Sequence, residues 1–385
     1  MKKGVYMTKN EQVTYQIIED FRSGRLSRKD AAEILGVSEK TIQRKAKKVR
    51  ERGFWGIKHG NLGNSPRNKL PDSLKDDVLR LVKERYFDFN LFHALEMLRK
   101  DHGIKVSYGT FYSWCIKNGA GRIRKRRRVS KARVHRERMA NEGLMLQMDG
   151  SHHKWNGKDE WCLIACIDDA TSDIPYAEFF KSETTQACMK VLKSIIQLRG
   201  IPDIIYTDHA GWSGNGKRQH FSQFQRACNE LGIRVLSTSS PESKGRIERA
   251  WRTFQDRIIP ELRLHKITSR KGANQYLQQK FIPTYWQKQN TVAPRSSKTR
   301  YKPVPDHIDL ENIFCMKYER KIYRDNTIHH GGTQYRVKDR KYGSLTGKPV
   351  SVHRYESGEI KAFYGHIQLN IEKITQPKRR WMHSA

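Results

Sequence analysis

Apolar positions in the first fifty residues recur at helical spacing, three and four apart, rather than alternating. One helical stretch runs from Glu11 to Ser23 and is broken at Gly24. Ala31, Ala32, Ile34 and Leu35 then make the apolar face of a short helix, Gly36 supplies a turn, and Ser38 caps a further helix from about Glu39 to Arg52. Small alanines let two helices approach closely, so residues 8–55 read as a helix-turn-helix unit. Residues 56–70 are rich in Gly, Asn and Pro and read as a linker. A second helical unit is expected over 70–120. Its end, GIKVSYGTFYSWCIKNG, repeats the logic, with Ser107 as cap and a helix from Tyr108 to Lys117.

From about residue 140 the period changes. LMLQMDGSHHKW, WCLIACIDD and IPYAEFFKS read as three successive strands, the first two joined by a Gly-containing turn. A helix follows from Thr184 to Leu198, with Ala187, Val191, Leu192, Ile195 and Ile196 on one face. DIIYTD is a short buried strand, HFSQFQRACNELG a helix closed by Gly232, IRVLSTS a fifth strand, and a long helix runs from Pro241 or Glu242 through Leu264. This order over 140–265 predicts an α/β layered core with a mixed sheet. Residues 266–310 are a polar, Pro-containing connection, extended or partly helical. Short alternating runs over 311–371 predict a small antiparallel β-barrel. The fold class is therefore multidomain: all-α units, a central α/β core and a small all-β unit.

Charge adds a partner. The chain carries 75 Lys+Arg against 40 Asp+Glu, a net +35, far more than solubility requires. Such an excess predicts a polyanion, and double-stranded DNA fits the helical front end best. Lys40, Thr41, Gln43, Arg44, Lys47 and Lys48 on the helix after Gly36 suit base edges and phosphates. The second helical unit either binds DNA too or simply packs. The run RIRKRRRVSKARVHRER within 121–139, with Arg126 and Arg127 at its centre, reads as a linker tracking phosphates. The start lacks the apolar stretch of a signal peptide, and no apolar run is long enough to span a bilayer. A cytoplasmic, nucleoid-associated protein with no membrane partner is expected. The six cysteines stand singly and show no zinc-finger spacing, so buried free thiols are the expectation.

Candidate chemistry is acidic. Asp149 interrupts an apolar strand in LQMDGSH, Asp208 ends one in IIYTDHAGW, and Glu248 lies on a basic helix in SPESKGRIERAW. A charge inside an apolar strand is expensive unless compensated. Converging carboxylates repel, and divalent cations are the usual remedy. Hard oxygen ligands suit Mg²⁺, with Mn²⁺ as a substitute. Two such ions roughly 3.5–4 Å apart can activate an attacking oxygen and stabilise a leaving one in phosphodiester displacement.

Glu242 is a rival third ligand. Pro241 suits a first helical turn, where Glu242 would serve the helix dipole. Glu248 ends a Gly-x-x-Glu element flanked by Arg246 and Arg249, which could meet DNA phosphates. His152 and His153 face opposite ways on a strand, so at most one points toward the metals. Asp168 and Asp169 open a turn, with Asp169 in reach of a supporting role. Trp212 serves either as a base-stacking group or as core.

These segments together resemble the DDE transposases and retroviral-type integrases. The echoes are QMDGSH, IDDATS, YTDHAG and SPESKGRIERAW in order, with Asp208 59 positions after Asp149 and Glu248 40 positions after Asp208. Among insertion-sequence enzymes the chain looks most like the ISNCY-type group. The specific motifs lie within 140–260, although similarity in order runs over about 10–370. The resemblance implies a ribonuclease-H-like core and Asp149, Asp208 and Glu248 as catalytic ligands of two Mg²⁺ ions. It also implies transposon terminal inverted repeats and target DNA as partners, strand cleavage and transfer as the reaction, and a homodimer or higher multimer on DNA. The zinc-binding front end of retroviral integrases is lacking.

Overall fold

A computed structural model describes residues 7–60, 69–122, 136–207, 222–237, 245–339 and 345–374. The chain divides into two compact units, one up to Asp77 and one from Val78 onward. The first holds α1 (Lys9–Arg22), α2 (Arg28–Ile34) and α3 (Glu39–Arg52). Each begins on a hydroxyl cap: Thr8 with Glu11 forms a full capping box, and Ser27 and Ser38 accept from the amides of Asp30 and Thr41. Ile17, Ile18, Ala31, Ala32, Ile42 and Val49 close a small core. Gly36 takes φ +63° between α2 and α3, a left-handed turn that a side chain would strain.

The second unit is built on a five-stranded sheet of β1 (Met145–His153), β2 (Trp161–Asp168), β3 (Tyr176–Phe180), β4 (Ile204–Thr207) and β5 (Arg234–Ser237). Their order is β3-β2-β1-β4-β5. The β1–β2 and β2–β3 pairs are antiparallel, whereas β1–β4 and β4–β5 are parallel. This is the ribonuclease-H-like mixed sheet expected from the sequence. Helices α7 (Thr185–Arg199) and α8 (Gln223–Glu230) bury Leu146, Met148, Ile164, Cys166, Val191, Ile195 and Phe224 on one face. On the other, α9 (Gly245–Leu264), α10 (Arg270–Tyr276) and a π-helix over Leu277–Trp286 cover Leu163, Ala165, Ile167, Phe254 and Phe281. With both faces covered, all eight residues of β2 are buried, which explains its unbroken apolar run.

Helix α4 (Asp72–Glu84) crosses the division between units, and α5 (Leu91–His102) and α6 (Tyr108–Lys117) follow it. Helix α5 docks on the second half of α9. His93 Nε2 lies 2.8 Å from Glu261 Oε1, Arg257 pairs with Glu96 at 2.6 Å and Arg263 with Asp88 at 2.7 Å, while Asn90 donates to Asp256. Burial alone would raise the Glu261 carboxyl. Hydrogen bonds from His93 and Tyr276, with the Arg257 charge nearby, outweigh it and hold the group below its usual range.

Among the described residues the C-terminal part has seven strands, β6 (Met316–Lys321), β7 (Thr327–His330), β8 (Thr333–Val337), β9 (Pro349–Arg354), β10 (Ile360–Tyr364), β11 (Ile367–Leu369) and β12 (Ile371–Ile374). The expected small barrel is replaced, among the described residues, by two antiparallel sheets, β11-β10-β9-β6 and β12-β8-β7. They share a core of Ile322, Ile328, Val337, Val350, Val352, Ala362 and Leu369. The chain crosses from one sheet to the other at Asn370, between β11 and β12, so the hydrogen-bonding ladder is not continuous around the core.

His353 on β9 stacks on Phe363, with Nδ1 2.8 Å from Asn312 Oδ1 and Nε2 2.9 Å from Ser351 Oγ. Burial, with Lys317 and Arg226 nearby, lowers its pKa to about 4. A histidine depressed in the folded state stabilises it above the unfolded pKa of about 6.5 and loses that contribution as pH falls toward 4. Denaturant midpoints should therefore fall between pH 6.5 and 4, and His353→Gln should flatten that slope.

Candidate active site

Strand β1 alternates its side chains between the two cores. Leu146 and Met148 enter the α7/α8 side, so Asp149 faces α9. There the indole of Trp251 donates from Nε1 to Asp149 Oδ2 at 2.8 Å. Two residues on, Ser151 is bonded to the same helix, with Gln255 Nε2 3.3 Å from its hydroxyl. The Trp155 indole donates to the Ser151 carbonyl at 3.1 Å. Helix α9 is thus stitched to β1 at Asp149 and Ser151. Glu248 lies in the first described turn of α9 and is exposed. It stands three residues before Trp251, on the neighbouring helical position of the same side.

Trp251 was not singled out in the sequence. Its spacing from Glu248 was the available signal, but an aromatic at such a position usually means core, and Trp251 does also pack with Phe254 (ring centroids 5.8 Å apart).

Asp169 is fully buried and is the polar centre behind this arrangement. Its Oδ1 accepts from Gln147 Nε2 and Arg246 Nη1, each at 2.7 Å, and from Arg136. The Met139 amide donates to its Oδ2 at 2.8 Å. Arg246 also donates to the Arg136 carbonyl at 3.0 Å. The guanidinium expected at DNA phosphates is thus held against Asp169 and ties the start of α9 to β1. Burial, partly offset by the Asp169 charge, lowers the Arg246 pKa. Arg249 is exposed.

Asp168 shapes the turn after β2, accepting from the amides of Gly143, Ala170 and Thr171 at 2.7, 2.9 and 3.0 Å. Burial raises its pKa.

His152 and His153 are exposed at the end of β1. The His153 ring meets Trp155 edge-on at 5.7 Å, on the Asp149 side, whereas His152 faces the α7 side opposite Cys162. On α3, Lys40, Gln43, Arg44, Lys47 and Lys48 are exposed on the side away from the buried Ile42 and Val49, and Thr41 Oγ1 lies 2.9 Å from the Ser38 cap. Asp208, Trp212, Glu242, Arg126 and Arg127 lie outside the described residues. All six cysteines are buried, and none is joined in a disulfide. No helix among the described residues is long and apolar enough to cross a membrane.

No family model matches the chain. Two curated proteins do. A protein of Sinorhizobium fredii named as transposase y4bF is 29% identical over 369 residues, covering 92% of this chain and 79% of its own. The transposase for insertion sequence IS1202 of Streptococcus pneumoniae is 29% identical over 417 residues, covering 97% and 87%. Among solved structures, the simian T-cell lymphotropic virus intasome in complex with PP2A regulatory subunit B56 gamma aligns at 15% identity and TM-score 0.37, over 71% of this chain and 93% of that one. The HTLV-2 integrase catalytic core in complex with magnesium aligns at 21% identity and TM-score 0.29, over 34% and 80%. At those values the fold rests on the strand order itself. By its sequence, over nearly its whole length, the chain is similar to two proteins named as transposases, one of them for an insertion sequence.

Proposed function

We propose that this chain is a DNA transposase of the DDE type, which binds transposon ends and catalyses metal-dependent strand cleavage and strand transfer. The observation that carries the reading is the hydrogen bond from Trp251 to Asp149. It fixes a carboxylate in the middle of a ribonuclease-H-like sheet against the helix that bears Glu248, one turn away. The third carboxylate of the proposal, Asp208, follows directly on β4. The register offset between β1 and β4 equals the spacing of the two aspartates, 59 residues in each case (204 − 145 and 208 − 149).

The donor set fits hard divalent ions. Asp149 and Glu248 offer only oxygen, on a strand and a helix that the Trp251 and Gln255 bonds hold together. Asp149, Asp208 and Glu248 would hold two Mg²⁺, or Mn²⁺ in substitution. When bound, such ions activate water or a 3′-hydroxyl and stabilise the leaving oxygen. The protein's part is positional. Trp251 fixes the rotamer of Asp149, and Asp169 anchors Arg246 so that the first turn of α9 cannot swing away. Arg249, exposed beside Glu248, is suited to a phosphate flanking the cut.

End recognition falls to residues 8–55 as a helix-turn-helix, with α3 as the reading helix. Its exposed Lys40, Gln43, Arg44, Lys47 and Lys48 and the half-buried Thr41 offer donors to bases and phosphates. The basic run around Arg126 and Arg127 adds phosphate contacts. Pairing two ends calls for at least a dimer on DNA.

The test is a duplex ending in a terminal inverted repeat, sought in the DNA on either side of the gene, incubated with protein, Mg²⁺ and a plasmid target. Cut ends and joined product support the proposal. Cutting without joining leaves a nuclease, and binding alone leaves a regulator.

A further inference from the structure

We propose a second metal site, for a soft ion such as Zn²⁺, formed by His152 Nε2, Cys162 Sγ and a Glu183 carboxylate oxygen on the α7 side of the sheet. Their ligand atoms all lie within 4.8 Å of one another. The site is distinct from the carboxylate centre and does not depend on the transposase reading.

The strand register brings the first two together: His152 and Cys162 are direct partners across β1 and β2, on the same face. Glu183 reaches them from the residue preceding the Thr184 cap of α7. It can do so because position 150 is glycine. A Cβ there would stand 2.8 Å from the Glu183 carboxyl carbon and 3.0 Å from Cys162 Sγ.

The separation of the imidazole and the carboxylate leaves room for an ion between them. His152 Nε2 and Glu183 Oε2 are 3.8 Å apart, too far for a hydrogen bond. Yet two ligands of one tetrahedral zinc, each at about 2.0–2.2 Å from the metal, stand roughly 3.3 Å apart. The other ring nitrogen, Nδ1, lies 3.8 Å from Glu160. At that distance it is no hydrogen bond either, and only the Glu160 charge acts on the ring.

Sulfur decides the metal. A thiolate with an imidazole and one carboxylate favours Zn²⁺ or Co²⁺ over Mg²⁺, so the two centres would not compete for the same ion. Burial, with Glu183 and Asp149 nearby, pushes the Cys162 thiol up to about 12. On ligation the S–H bond breaks, the S–metal bond forms and the proton leaves to solvent. The bound ion would clamp the loop end of the β1–β2 hairpin to the start of α7.

Full-length, reduced, metal-free protein titrated with Co²⁺ should take up one ion with thiolate-to-cobalt absorption in the near ultraviolet, displaced by Zn²⁺. Cys162→Ser should abolish that band. Exposed His152→Ala, which leaves the core untouched, and Glu183→Gln should each weaken binding at least tenfold. Cys166→Ser, which alters a thiol on the same strand and face, should retain the band. Absence of a thiolate band, or a band that survives Cys162→Ser or is indifferent to His152→Ala, would overturn the site. Mg²⁺-dependent DNA cleavage, scored separately, tests the active-site reading without bearing on this one.

Discussion

Replacing Asp149 by Asn is expected to lower end cleavage and joining by about 10³-fold or more while leaving DNA binding within about twofold. The substitution is nearly isosteric, and the amide oxygen can still accept from Trp251 Nε1, which now stands 2.8 Å from Oδ2. The half-buried position and its packing against α9 should therefore survive. What disappears is the anionic charge that would hold the metal. Metal charge stabilisation of a phosphodiester transition state is worth several kcal/mol, and each 1.4 kcal/mol is about a factor of ten in rate. Single-turnover cleavage of an end duplex in Mg²⁺, beside a band-shift titration, measures both parts. Weakened binding in parallel with activity would instead mark Asp149 as a structural residue.

The second large effect is on stability. Asp169→Ala should destabilise the sheet-bearing unit by about 3–5 kcal/mol, because it leaves two arginines, Arg136 and Arg246, facing a site that excludes water. It also strands the Gln147 amide and the Met139 N–H. Most of that loss should come from the uncompensated charge rather than from the lost bonds. Adding Arg246→Met to Asp169→Ala should therefore recover part of it, whereas independent sites would give additive losses. Denaturant unfolding of the two single variants and the double variant decides between these outcomes.

Much of the α/β core was legible because its signals are local. The order of strands and helices follows from where apolar spacing switches between two and three-to-four residues. Hydroxyl caps such as Ser38, Ser107 and Thr184 accept the amides their positions require. The continuous apolar run of β2 is explained by burial on both faces.

Long-range features were less accessible. Trp251 and Asp149 are far apart in sequence, and nothing local says that an indole will hold a carboxylate. Asp169 looks like an ordinary turn residue, and only the fold brings Gln147, Arg136 and Arg246 to it. Arg246 reads as a DNA contact from its charge alone, because sequence cannot tell a solvent-facing guanidinium from one held by a buried acid. The polar look of 266–310 left extended and partly helical both open, and its apolar residues, diluted by Gln, Lys and Pro, gave no sign that a helix there buries Leu277, Phe281, Ile282 and Trp286. The sheet switch at Asn370 carries no pattern of its own, so alternation alone suggested a closed barrel.

The central claim is that Glu248, not Glu242, completes a metal-binding triad with Asp149 and Asp208. The most direct measurement is joining of a precut transposon end to plasmid DNA in Mg²⁺ by Glu248→Gln and Glu242→Gln, each matched to the unaltered protein in DNA binding. Glu248→Gln is expected to join at no more than about a thousandth of the unaltered rate, and Glu242→Gln to stay within about tenfold of it. Full joining by Glu248→Gln, with loss in Glu242→Gln, would contradict that claim.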